Sequence, residues 1–212
     1  MKFNREMLFL YGITDRAFVG EMTLMEQIEE AIKGGTTIIQ LREKNLNKEA
    51  FIQEAIEAKA LCAKYNVPLI INDDPEVAIK AGADGVHVGI EDTPVSQIRK
   101  NAPEGFIIGA TCKTVEQALK AKAEGADYMG VGAVFPSPTK KNAVRITLDQ
   151  LNEICTSVDI PAVAIGGITL ENIRELSGAE VAGFAVISAL FGAKDIQAAA
   201  KELKSAAKAI VE

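Results

Sequence analysis

The chain has 212 residues, 48% of them hydrophobic, and its 23 Lys and Arg against 29 Asp and Glu leave a formal net charge of −6. That balance is too apolar for disorder and too acidic for broad nucleic-acid binding, so any anion must be gripped by a local basic cluster rather than by the overall field. No apolar run approaches the ~18 residues of a membrane span, and the opening MKFNREMLFLYGI carries Glu6 where a signal peptide would be uncharged, so the expected location is the cytoplasm and no membrane partner is expected.

Short apolar runs alternate with longer stretches of helical period, the signature of βαβ units around a buried parallel sheet. In chain order the predicted strands cover residues 8–13, 37–41, 68–72, 85–88, 106–110, 128–132, 162–165 and 183–187. The helix after the first strand opens on Thr23 and Glu26, a spacing in which each side chain satisfies a free amide of the first turn. The same spacing recurs at Thr114/Gln117 and Thr147/Gln150. Gly34-Gly35, Gly82 and Gly125 stand where a left-handed residue ends a helix before the next strand. The stretches 82–89 (GADGVHVG) and 125–132 (GADYMGVG) echo one another, as repeated βα units would. About eight strand–helix pairs without a linker rich in Pro, Gly or Ser favour a single (β/α)8 TIM barrel, an α/β fold occupying residues 1–212 as one domain. An open doubly wound sheet is the runner-up, weakened because GITDRAF follows the first strand and no GxGxxG opens a helix.

In such a barrel the active site lies at the carboxyl ends of the strands. These ends run into Arg42 and Lys44, Asp73 and Asp74, Glu91 and Asp92, Lys113, and Lys140 and Lys141. Cations and carboxylates on one rim of an acidic protein call for a ligand of both signs, and a magnesium diphosphate is the simplest. Mg2+ takes one or two carboxylates with water and phosphate oxygens, and Asp73 with Asp92 could supply the pair. Asp74 and Glu91 are expected to point elsewhere, an N-cap being the ordinary use of such a residue. Gly166-Gly167 and Ser188, at the ends of strands seven and eight, suit a second phosphate. His87, the single histidine, reads as packed inside a strand, and Ser137 and Ser188 lack the partners of a hydrolase. The three cysteines form no CxxC pair and read as structural thiols.

With Tyr11-Gly-Ile-Thr-Asp15, Gln40-Leu-Arg-Glu-Lys44, Ile71-Asn-Asp-Asp74, the stretch 85–92, Val134-Phe-Pro-Ser-Pro-Thr-Lys140, Ala164-Ile-Gly-Gly-Ile168 and Val186-Ile-Ser188 in this order, the chain resembles the thiamine phosphate synthase family nearly end to end. The resemblance implies that Gln40, Leu41, Arg42, Glu43, Lys44 and Asn72 hold hydroxymethylpyrimidine diphosphate, with Arg42, Lys44 and Lys140 on its phosphates and Thr111 beside them. It implies Mg2+ on Asp73 and Asp92, and thiazole phosphate on Ser137, Pro138, Thr139, Gly167, Ile187 and Ser188. The family's reaction is dissociative: pyrophosphate departs, a pyrimidine-methyl cation forms and the thiazole nitrogen attacks it, with loss of carbon dioxide from a carboxylated thiazole. Family members often carry Ser where Thr111 stands and His where Lys113 stands; the hydroxyl is kept, the imidazole is exchanged for a cation. The related thiazole tautomerases rely on that His and lack the full carboxylate pair, so a tautomerase is the first alternative reading. A non-catalytic barrel that binds phosphorylated metabolites is the second, and another sugar-phosphate barrel enzyme the third. The expected partners are small-molecule substrates, and the sequence leaves open whether copies associate into a homo-oligomer.

Overall fold

The computed structural model describes residues 3–137 and 144–211. Eight parallel strands, β1 (Leu10–Ile13), β2 (Ile38–Leu41), β3 (Leu69–Asn72), β4 (Gly85–Val88), β5 (Ile107–Cys112), β6 (Tyr128–Gly132), β7 (Ala162–Ile165) and β8 (Gly183–Val186), pair in sequence order and close when β8 returns to β1. The outer layer is α1 (Leu24–Lys33), α2 (Lys48–Lys64), α3 (Pro75–Lys80), α4 (Val95–Asn101), α5 (Val115–Glu124), α6 (Leu148–Thr156), α7 (Ser188–Phe191) and α8 (Ile196–Val211). After β7 the crossover carries only a 3-10 turn, Ile173–Leu176. The expected barrel is therefore present, with one of its crossovers reduced. No helix among the described residues is long and apolar enough to cross a membrane.

Strand alternation divides the apolar residues into two cores. Leu10, Ile39, Leu41, Ile71 and Val86 face outward and pack under the helices. Tyr11, Ile13, Ile38, Ile70, Ile107, Tyr128 and Val163 fill the barrel. The predicted first strand is too long: Arg5–Leu8 forms a 3-10 turn, and Leu8 is a fully buried member of the inner core. Leu8 plugs the bottom of the barrel rather than pairing in it, and Phe3 stacks on Tyr128 with ring centroids 6.0 Å apart. β5 is longer than predicted, its Thr111 and Cys112 still paired with Gly130 and Val131.

Helix starts follow the predicted chemistry with one exception. Both hydrogen bonds of the capping box form at Thr23/Glu26 and at Thr147/Gln150. At Thr114 the hydroxyl accepts from Gln117 N, but the Gln117 carbonyl oxygen accepts instead from Lys113 N at 2.7 Å. The bond shifts one residue upstream and ties the end of β5 to α5. Helix ends use Gly35, Gly82 and Gly125 at φ of +108°, +64° and +95°, where a side chain would be strained. The three cysteines are free and buried, as expected of structural thiols.

The barrel interior is crowded where β4, β5 and β6 meet. A Cβ on Gly109 would lie 2.2 Å from Tyr128 Cζ and 2.5 Å from His87 Nδ1, so the two rings occupy the space that Gly109 leaves. Gly109→Ala is expected to destabilise the protein by about 3 kcal/mol, the upper part of the usual overpacking range. The test is urea unfolding, in which an unchanged midpoint would contradict the placement of both rings.

Candidate active site

The carboxyl ends of the strands open into a cavity of about 570 Å³. Strand β2 and its extension decide which residues reach it, because successive side chains point to opposite sides. Gln40, Arg42 and Lys44 line the cavity. Leu41 is fully buried in the outer core, and Glu43 turns away to accept from Arg16 Nε at 2.9 Å. The run 40–44 is thus a site residue by residue, not as a block, and the expectation for Leu41 and Glu43 as ligand-contacting side chains is corrected by the alternation. Arg42 is set by Thr14, whose hydroxyl accepts from its backbone N at 2.9 Å, and by an ion pair with Asp15 at 2.9 Å.

Asn72 and Asp73 both line the cavity although they are adjacent in sequence. The reason is backbone: Asp73 has φ of +65°, a left-handed conformation that Asp tolerates, which breaks the alternation as the chain leaves β3. Its N–H is anchored on His87 O at 2.8 Å. The next acid, Asp74, caps α3 by accepting from Val77 N at 3.0 Å, the ordinary N-cap role expected of it. Asp92 reaches back over a tight turn to accept from Gly89 N at 2.7 Å. Glu91 lines the cavity too, contrary to expectation, but on its exposed edge.

The two aspartates share one electrostatic environment. Burial pushes the Asp73 carboxyl up, and Lys44, Asp92 and Asn72 together outweigh it, so its pKa falls below the ordinary carboxylate value. Asp92 goes the other way, raised by burial and by the neighbouring Asp73 charge against the pull of the Gly89 amide. Two neighbouring carboxylates facing one lysine lack a full positive counter-charge. Lys44, ion-paired with Asp73 at 2.5 Å, supplies only part of it.

Ser137, Gly166 and Ile187 also line the cavity, whereas Gly167 and Ser188, next to them in sequence, are not among its lining residues. Gly167, at φ +64°, has no room for a Cβ, which would meet Pro136 O at 2.1 Å. Pro138, Thr139, Lys140 and Lys141 lie outside the described residues. Thr111 and Lys113 line the cavity from the end of β5. Sequence reasoning missed Tyr11 and the depth at which His87 reaches this space. His87 is packed and hydrogen-bonded, as expected, between Tyr128 Oη at 3.1 Å and Thr111 Oγ1 at 3.0 Å. Burial pulls its pKa down to about 4, against the opposing charge of Asp73, so the ring is neutral at physiological pH.

Residues 10–190 match the protein family described as thiamine monophosphate synthase. The thiamine-phosphate synthase of Alkaliphilus oremlandii is 45% identical over 209 residues, covering 98% of this chain and 100% of its own. That of Clostridium tetani is 45% identical over 194 residues, covering 92% and 93%. The solved thiamine phosphate pyrophosphorylase of Pyrococcus furiosus superposes with a TM-score of 0.90 at 40% identity, covering 98% of this chain and 99% of that one. The chain belongs to the thiamine monophosphate synthase family.

In this synthase the side of β2 away from the cavity carries its own charge cluster. Arg16 bonds Glu43 and Glu54, whose Oε2 atoms are buried without a hydrogen-bond partner. Burial and the nearby Glu43 raise the Glu54 pKa while Arg16 opposes them. Removing the guanidinium takes away the group that opposes this rise, so the Glu54 carboxyl is pushed further up by burial and by the facing Glu43. Arg16→Ala is expected to cost about 2 kcal/mol at neutral pH, below the figure for a fully buried pair because Arg16 is partly exposed. The deficit should shrink as pH falls through the carboxylate range, since protonation of either acid then favours the folded state. Urea unfolding at neutral and mildly acidic pH reads this, and a pH-independent deficit would exclude carboxylate repulsion as its cause.

Proposed function

We propose that this barrel joins hydroxymethylpyrimidine diphosphate to thiazole phosphate in the cytoplasm, releasing pyrophosphate, and carbon dioxide when the thiazole carries a carboxylate. The barrel is a transferase of thiamine biosynthesis, and thiamine phosphate is its product. The observation that carries the reading is the convergence of Arg42, Lys44, Lys113, Asp73 and Asp92 on one cavity of an acidic protein. A metal ion alone has no use for the cations, and a phosphate alone has none for the carboxylates.

The donor set fits Mg2+: hard oxygen ligands, two carboxylates lacking a full counter-charge, and open volume for phosphate oxygens and water. Asp73 and Asp92 would hold the ion, which when bound neutralises charge on the departing pyrophosphate. Lys44 must exchange Asp73 for a phosphate oxygen as substrate enters, and Arg42 can meet a phosphate with the face not taken by Asp15. The carbon–oxygen bond to the pyrimidine methylene breaks with its electron pair leaving on pyrophosphate, and the thiazole nitrogen then supplies the pair for the new carbon–nitrogen bond. No side chain needs to form a covalent intermediate. The protein's work is orientation and stabilisation of the leaving charge, which such sites do with preset donors rather than with a nucleophile. Ser137, Gly167, Ile187 and Ser188 flank the space assigned to thiazole phosphate, and Pro138, Thr139 and Lys140 carry their assignments from sequence.

Purified protein given both substrates should release pyrophosphate and thiamine phosphate with Mg2+ and neither after chelation. Consumption of the free thiazole carboxylate tautomer without pyrophosphate would make the barrel an isomerase instead. Asp92→Asn and Lys140→Ala should each keep the unfolding midpoint while lowering turnover by about 100-fold, the scale of losing one preset electrostatic partner. Near-normal rates in both would remove these residues from the mechanism.

A further inference from the structure

Five side chains from five strands form one buried hydrogen-bonded chain beneath the cavity. Gln40 Nε2 lies 2.8 Å from Tyr11 Oη, which lies 2.6 Å from Tyr128 Oη. Tyr128 Oη lies 3.1 Å from His87 Nδ1, and His87 Nε2 lies 3.0 Å from Thr111 Oγ1. Tyr11 and Tyr128 are essentially without solvent contact, so water cannot complete their hydrogen bonds.

A closed chain of this kind has a direction. The Gln40 amide nitrogen only donates, so the Tyr11 oxygen accepts and its single hydrogen goes to Tyr128. The Tyr128 hydrogen then has one acceptor, His87 Nδ1. That nitrogen is therefore bare, the ring hydrogen sits on Nε2, and Nε2 donates to Thr111 Oγ1. A doubly protonated ring fails the same count, because it would leave the Tyr128 hydrogen with nothing to meet. At the end of the chain the Thr111 hydroxyl hydrogen has no partner within it, and Thr111 lines the cavity.

We propose that Tyr11, Tyr128 and His87 are positioning residues that polarise Thr111, holding its hydroxyl as a hydrogen-bond donor toward the diphosphate oxygens of the bound pyrimidine. The inference rests on the reading of the cavity given above. An ionised phosphate oxygen carries no hydrogen and only accepts, so a donor is the polarity the ligand requires. A core role alone would be served equally by the reverse direction, in which Thr111 donates inward to Nε2 and turns only lone pairs to the phosphates. The fold also makes room for this chain at some cost: Gly109 and Gly130 are side-chain-free where Tyr128 and His87 sit, the Gly130 Cβ position lying 3.1 Å from His87 Cε1.

Because His87 is the single histidine, its tautomer can be read without assignment in the whole protein labelled with ¹⁵N-histidine. Long-range proton–nitrogen spectra at neutral pH should show the protonated nitrogen coupled strongly to both ring C–H protons, the pattern of hydrogen on Nε2. The Nδ1-protonated pattern, or an imidazolium, would overturn the proposal. Tyr128→Phe removes the donor to Nδ1, and Tyr11→Phe cuts His87 off from Gln40. Each is expected to give a mixture of tautomers and about a tenfold fall in kcat, with KM for thiazole phosphate unchanged. Retention of the pure Nε2 tautomer in both variants, or a shifted tautomer with wild-type kcat, would overturn it as well. Failure of the synthase reading shows separately, as absence of pyrophosphate release by the unaltered protein, and leaves the tautomer result standing.

Discussion

Closing eight parallel strands leaves an interior too narrow for a large side chain on every strand at one level, and the upper half of this barrel is organised by how that limit is met. Gly109 and Gly130 carry no side chain, and Tyr128 and His87 take the space. With Tyr128 fixed there, Tyr11 meets it oxygen to oxygen and Gln40 meets Tyr11, so an inner core that is aliphatic at Leu8, Ile38, Ile70 and Ile107 becomes polar one layer higher. The change of layer marks the floor of the cavity. Everything above it, from Asn72 to Ile187, stands on strand ends whose inward direction was already set below.

Charge on the rim is arranged by the same alternation. Residues pointing inward from β2 and its extension, Arg42 and Lys44, are met by Asp15 and Asp73. Glu43, pointing away, is met by Arg16. Arg42 and Lys44 are thereby turned to the cavity and paired at the same time. The Lys44–Asp73 pair, the more exposed of the two, is of the kind that contributes little to stability. The Arg16 cluster is different, because Glu43 is buried, Glu54 is partly buried and neither lines the cavity.

Much of the fold was legible in the sequence because its signals are local. Each of the predicted strands exists, the capping boxes at Thr23 and Thr147 form in full, and the glycines at 35, 82 and 125 do adopt left-handed conformations. Errors arose where a local pattern has two uses. Leu8 belongs to an apolar run that continues into β1, yet it serves as a plug, since the barrel bottom needs apolar volume and not another hydrogen-bonded residue. Gln117 offers its side chain one residue earlier than the motif expects because Lys113 N, at the end of β5, has no strand partner there. Gln40, Arg42 and Lys44 of the motif 40–44 line the cavity, but a motif is contiguous and a strand surface is not, so Leu41 and Glu43 were carried into it by their neighbours.

The polar floor was beyond sequence reasoning for a different reason. Its contacts join residues 29, 117, 41 and 24 positions apart, and none is short enough to leave a spacing that a pattern could detect. His87 alone reads as one more buried histidine, and Tyr11 and Tyr128 as two more aromatic core residues. Only barrel closure makes them consecutive. Once consecutive they obey a rule that no pairwise contact contains: with one hydrogen per hydroxyl and none to spare on a neutral imidazole, the direction of the first bond determines the direction of the last. Information about Gln40 on one side of the cavity is thus held at Thr111 on the other without movement of the backbone. Burial of Tyr11 and Tyr128 is what allows it, because a single water admitted between the rings could accept or donate at will and erase the direction.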